Sequence, residues 1–140
     1  MTAGYSSRNL VQKLGIKEGT RVIVIAAPPN YQSLLKPLPS GASIHTRLPA
    51  SSDFIHAFAR SRAELAREFP RLAGSLTDDG TLWISWPKRS GGMPTDLGEN
   101  VVRELGLTEG LVDVKVCAVD ETWSGLKFVR RLVNRATRSK

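Results

Sequence analysis

Cysteine is almost absent from this chain of 140 residues: Cys117 stands alone, so no disulfide framework can form within one molecule. That fits a reducing compartment, and a cytoplasmic protein is expected. Cys117 lies in the apolar run Val112–Val119 with no histidine beside it, and reads as a small buried hydrophobe rather than a reactive thiol. Long apolar runs are also missing. None approaches the ~18 residues that cross a bilayer, and the N-terminus is polar, so neither secretion nor a membrane is expected. Histidine is scarce: His45 and His56 fall on different predicted strands with no further ligand at metal spacing, which predicts structural roles and no metal. No serine sits in a Gly-x-Ser-x-Gly elbow and no Cys-His pair is evident, so no catalytic residue is assigned.

Acidic residues are missing from one region only. The net charge is +7, yet six of the 20 basic side chains lie from Lys127 onward (Lys127, Arg130, Arg131, Arg135, Arg138 and Lys140) with no acid among them. The rest of the chain is close to balance against its 13 acids. A solvated terminus and a nucleic-acid contact both account for such a stretch, and no aromatic residue interleaves it. We therefore divide the chain into one domain, residues 1–131, and a basic C-terminal tail, residues 132–140. With 41% apolar residues, the domain can bury a core without disulfides or metal.

The apolar spacing then gives an order of elements. Leu10, Val11 and Leu14 predict a short amphipathic helix over residues 7–14, ended by Gly15. Arg21–Ala27 is an almost wholly apolar strand, the pattern of a strand buried on both faces. Pro28, Pro29, Pro37 and Pro39 limit any helix between them to a turn or two around Tyr31–Lys36. Strands follow at Ala42–Arg47 and Asp53–Ala59. Ser61-Arg-Ala-Glu64 is a capping box opening a helix whose buried face is Leu65, Phe69, Leu72 and Leu76, with Pro70 predicting a kink or two consecutive helices. Asp79-Gly80 predicts a turn into a strand at Thr81–Trp86, where Trp83 and Trp86 point to opposite faces as core residues. A second capping box, Asp96-Leu-Gly-Glu99, opens a helix with the stripe Leu97, Val101 and Leu105. Leu111–Val119 and a strand around Leu126–Val129 close the chain as an antiparallel return. The fold class is α/β, a mostly parallel sheet with an antiparallel C-terminal hairpin strand and helices on both faces.

This order, together with Gly15-Ile-Lys-Glu-Gly-Thr-Arg-Val-Ile-Val-Ile25 entering the first strand, resembles a trimmed, Rossmann-like core of class I S-adenosylmethionine-dependent methyltransferases. Trp83-Ile-Ser-Trp-Pro-Lys88, Thr95–Arg103 and Gly110–Lys127, with Tyr5-Ser6 and Lys13–Lys17, resemble a bacterial domain-of-unknown-function family, number 3052. That likeness covers nearly the whole chain up to Arg131 and implies no known activity.

In an active class I methyltransferase, the first strand runs into a glycine-rich turn whose amides approach the cofactor, and the second strand ends in an acid that holds the ribose hydroxyls. Here the turn is Ala26-Ala-Pro-Pro-Asn-Tyr31, with no glycine and two prolines lacking an amide proton, and the second strand ends Ser43-Ile-His-Thr-Arg47. No cofactor is therefore expected. Arg47 is either a surface arginine or a contact for phosphate.

Ligands of open α/β sheets bind beyond the carboxyl ends of the parallel strands, where loops beginning at Ala27, Arg60, Pro87 and Val119 should converge. The third offers Lys88, Arg89, Ser90, Gly91 and Gly92, a cationic loop suited to an anion. The fourth offers Asp120, Glu121, Thr122, Trp123 and Ser124, two carboxylates beside an aromatic surface that is hard to explain as core. These ten residues are the candidate ligand site. The bland alternative is that Lys88 and Arg89 pair with Asp120 and Glu121 and tie the loops together. Three functions follow: a non-catalytic methyltransferase-like module that binds a partner protein or small anionic ligand at this edge, an enzyme with a rearranged pocket there using Asp120 or Glu121, or a nucleic-acid contact through the tail.

Overall fold

The computed structural model describes residues 9–131, and the predicted tail at 132–140 lies outside them. The elements are α1 (Leu10–Leu14), β1 (Arg21–Ile25), α2 (Tyr31–Leu34), β2 (Ser43–His45), β3 (Ser52–Phe58), α3 (Arg62–Ser75), β4 (Leu76–Pro87), a single 3-10 turn (Arg89–Gly91), α4 (Glu99–Thr108), β5 (Leu111–Ala118) and β6 (Trp123–Arg130). The six strands form one sheet in the order β2-β1-β3-β4-β6-β5. The first four run parallel, and β6 runs antiparallel to both β4 and β5. The mixed α/β fold expected from the alternation of patterns is the one observed.

Alternation along the strands sends side chains to two faces, each closed by its own helices. Val22, Val24, Phe54, Phe58 and Trp83 pack under α1 and α2, against Leu10, Leu14, Tyr31 and Leu35. Ile23, Ile55, Ala57, Ile84, Leu126 and Phe128 pack under α3 and α4, against Leu65, Phe69, Leu72 and Val102. Each fully buried side chain of this size contributes roughly 1.5–3 kcal/mol. Trp83 and Trp86 do take opposite faces as core residues, and the Trp83 indole donates to the Leu14 carbonyl at 2.9 Å, fixing the end of α1. The tightest approach is α4 onto β6. Gly106 sits where any Cβ would overlap the Phe128 ring, and Phe128 meets Phe69 edge-on at 5.6 Å.

Helix ends depart from expectation in instructive ways. Ser61 does cap α3, accepting from the Glu64 amide at 3.1 Å, but the Glu64 carboxylate reaches back to the Arg60 amide rather than to that of Ser61. Pro70 lies inside a single helical element, not between two. Asp96 does not cap α4, which starts at Glu99 behind Gly98 with no side-chain cap. Its carboxylate accepts instead from the Arg62 amide at 2.7 Å, filling an open donor in the first turn of α3. At the other end of α3, Arg130 is buried and its guanidinium donates to the carbonyls of Leu76 and Ala73. Arg130 and Lys127, the first two of the basic C-terminal stretch, thus belong to β6. The Asp79-Gly80 turn is also revised. Strand β4 already begins at Leu76, and residues 77–80 bulge opposite Asp53, between the pairs Ser52–Leu76 and Phe54–Thr81.

Candidate functional site

The carboxyl ends of β1, β3, β4 and β5 do share one edge, because β4 and β5 are both antiparallel to β6. At the end of β1 the chain turns through Ala26, which holds φ at +59°, a left-handed conformation that costs a residue with a Cβ about 1 kcal/mol or more. Pro28 and Pro29 follow, and the Pro28 carbonyl accepts from the Tyr31 amide at 3.1 Å to start α2. A cleft of about 680 Å³ opens beside this turn, lined among others by Ala26, Pro28, Pro29, Thr46, Arg47 and Arg71. No carboxylate lines it. Arg71 is held by Glu68 at 2.5 Å, whereas Arg47 is exposed and makes no ion pair among the described residues.

Tyr31 is both a wall of that cleft and part of the core. Its hydroxyl lies 2.8 Å from His56 Nδ1, and His56 Nε2 lies 2.7 Å from Ser85 Oγ. His56 is fully buried and stacked on Phe58 at 4.4 Å. Burial pushes its pKa down to about 3, and burial also raises that of the Tyr31 hydroxyl, so both stay neutral at physiological pH. A histidine so placed is a bonded structural group, as expected. It ties α2, β3 and β4 together. His45 bonds Ser43 Oγ at 2.7 Å. Among the described residues no three His, Cys, Asp or Glu side chains gather as metal ligands.

The ten predicted site residues are brought to one edge but not into one cavity. Lys88, Arg89, Ser90, Gly92 and Ser124 line a cleft of about 980 Å³ toward the start of α4, together with Asp96 and Glu99. Gly91 packs against the backbone of Thr122, leaving little room for a side chain. Asp120, Glu121, Thr122 and Trp123 lie outside that cleft's walls. The tie between the two loops is main chain: the Lys88 amide donates to the Thr122 carbonyl at 2.7 Å. Among the described residues no ion pair joins Lys88 or Arg89 to Asp120 or Glu121, so the charge lock is absent. Asp120 instead accepts from the amides of Thr122 and Trp123 at 2.8 and 2.9 Å, shaping its own turn.

Two expectations are overturned. Trp123 is core, 3% exposed, and meets Phe58 edge-on at 5.0 Å. Cys117 is only half-buried, because β5 is an edge strand whose outer residues no helix covers. Arg60 was not singled out as a site residue, although it bridges the turn after β1 and Trp123. Its guanidinium lies 5.0 Å over the Trp123 ring and donates to the Ala26 carbonyl at 3.3 Å. An arginine directly after an apolar strand was the available signal.

No protein-family model and no curated protein matches the chain, so the likeness to family 3052 rests on its motifs alone. Among solved structures, the chain is similar to the pyocyanin biosynthetic protein PhzM, with a TM-score of 0.61 at 8% identity over 87% of this chain and 53% of that one. It is similar to a SAM-dependent methyltransferase from Aquifex aeolicus, with a TM-score of 0.59 at 13% identity, covering 85% and 86% of the two chains. It is also similar to magnesium protoporphyrin IX methyltransferase from Synechocystis PCC 6803 with bound SAM, with a TM-score of 0.54 at 11% identity over 87% and 74%. The chain spans about half the length of PhzM. At these identities the likeness shows the fold, that of S-adenosylmethionine-dependent methyltransferases.

S-adenosylmethionine carries a sulfonium, an ammonium and two ribose hydroxyls, which call for acceptors, and a carboxylate, which an arginine can meet. The cleft beside β1 is lined by two arginines and no carboxylate, and Pro28 and Pro29 supply no amide donors.

Proposed function

We propose that this chain is a non-catalytic module on a methyltransferase fold that binds a small anionic ligand at the carboxyl edge of its sheet. The observation that carries this reading is the lining of the cleft beside Ala26–Pro29, which holds no carboxylate and where Arg47, unlike the Glu68-bound Arg71, makes no ion pair among the described residues. An unpaired arginine offers a planar fork of donors to a phosphate or carboxylate, and the apolar walls of Ile44, Leu48 and the two prolines accept the body of an organic anion. The Lys88–Gly92 loop is a weaker site for the same class of ligand, since Asp96 and Glu99 share its cleft.

Thermal shift of the full chain with adenosine monophosphate, pyrophosphate and S-adenosylmethionine tests the proposal. The two anions should raise the midpoint saturably, and Arg47→Gln, on an exposed side chain, should remove the shift without lowering the midpoint of the free protein. A saturable shift with S-adenosylmethionine that exceeds both anions would replace this reading with that of a divergent methyltransferase. No shift with either anion would end it.

A further inference from the structure

The two outer strands carry a second charged feature, on the α1 side of the sheet beyond the apolar core that α1 and α2 cover. Lys115 is paired directly with Lys127 in the β5–β6 ladder, and Lys127 is paired with Trp83 in the β4–β6 ladder. Trp83 lies under α1, so all three side chains share the α1 face. Lys115 Nζ donates to the Lys13 carbonyl at 3.1 Å, which sets the end of α1 beside it. Lys17 and Lys115 both act on the ammonium of Lys127, and Lys13, Lys88 and Lys115 all act on the thiol of Cys117 between them. Lys13, Lys17, Lys115 and Lys127 thus gather at one patch of sheet, with Lys88, which also lines the cleft toward α4, at its edge. Among the described residues none of them makes an ion pair.

Such a patch is unfavourable alone. Like charges directly opposite each other on paired strands destabilise the ladder, and Lys127 is also partly desolvated, which lowers its pKa before the neighbouring lysines lower it further. An anion laid across the patch relieves both effects. We propose that this α1-side face of β5 and β6 docks the phosphate backbone of a nucleic acid. Its lysines run from the Lys88 end, level with Trp123, to Lys127, four residues or ~13 Å along β6, and then to Lys13 and Lys17. Duplex DNA places several phosphates over that length. A protein partner is the poorer match, because protein interfaces favour aromatic residues, methionine and arginine and are depleted of lysine, and the aromatic residues here are buried under α1 and α2. With no exposed aromatic platform beside these lysines among the described residues, the contact is to phosphates and independent of base sequence.

Fluorescence anisotropy of the full chain with a short labelled DNA duplex and a single-stranded RNA of equal length tests this at graded salt. The double variant Lys115→Gln, Lys127→Gln should weaken binding at least ~10-fold and flatten the logarithmic salt slope by about 1.8 on duplex, the loss of two phosphate contacts. Its thermal midpoint should change little, since the repulsion removed offsets the lost Lys115–Lys13 hydrogen bond, and Lys115→Arg, Lys127→Arg should keep the binding. Neutralising Arg135, Arg138 and Lys140 should leave most of the affinity. The proposal is overturned if the wild-type chain binds neither nucleic acid at low salt, or if the glutamine pair leaves the salt slope unchanged. It is also overturned if the tail variant alone abolishes binding, or if polyglutamate competes as well as nucleic acid does.

Discussion

The two faces of the sheet are built to different rules. Under α3 and α4 the contacts are almost all apolar, and its main polar element, Arg130, closes the end of a helix. Under α1 and α2 the core includes the Tyr31–His56–Ser85 chain of hydrogen bonds, opens into the Arg47 cleft at one end and gives way to lysines over β5 and β6. The first face holds the sheet together. The second accepts costs that packing alone does not require: a buried histidine, a left-handed alanine and opposed lysines. Costs of this kind concentrate where a fold keeps options for binding.

If that contrast is right, the largest loss comes from the apolar face. Phe128→Ala removes a ring wedged between Phe69 and Gly106 and should cost ~3–5 kcal/mol in denaturant unfolding. A much smaller loss would mean that α4 settles onto the sheet without the ring. On the other face the response should depend on acidity. His56 is neutral when folded down to about pH 3, while the unfolded chain takes up its proton near pH 6.5, so the unfolded state binds more protons between those values. Stability should fall as pH drops through that window, by up to ~1.4 kcal/mol per unit, and His56→Gln should lose this part of the slope. An unaltered slope in the variant would place the acid sensitivity elsewhere. The smallest effect belongs to the first turn. Ala26→Gly relieves the positive φ and should raise stability by up to ~1 kcal/mol, net of the added chain entropy. A destabilised glycine variant would show that the Cβ packs usefully.

Apolar periodicity carried most of this architecture into view: the doubly buried β1, the Leu65–Phe69–Leu72 stripe of α3 and the antiparallel return of β6 all follow from it. What it could not convey are pairings made across long separations by polar atoms. Asp96 reads as the cap of the helix that follows it, yet it serves one that begins 34 residues earlier. Arg130 reads as one of a run of basic residues near the C-terminus, although its burial follows from the orphan carbonyls of α3. Trp123 was hard to explain as core because it reads as part of the turn Asp120–Ser124, but β6 starts at that residue and turns the ring toward Phe58. At the candidate site, the missing glycines and the arginine after β2 were legible. The separation of Lys88 from Asp120 depends on loop geometry that no local pattern encodes.

Arg60 gives the edge a property beyond binding. The same guanidinium lies over the Trp123 indole and holds the Ala26 carbonyl, so the first turn and the aromatic wall of β6 share one tether. Any event in the Arg47 cleft that moves Ala26 withdraws an acceptor from that tether and changes the field over the indole. If the proposed ligand shifts Ala26, the emission of Trp123 at the far end of the edge should respond, and Arg60→Gln should remove that response.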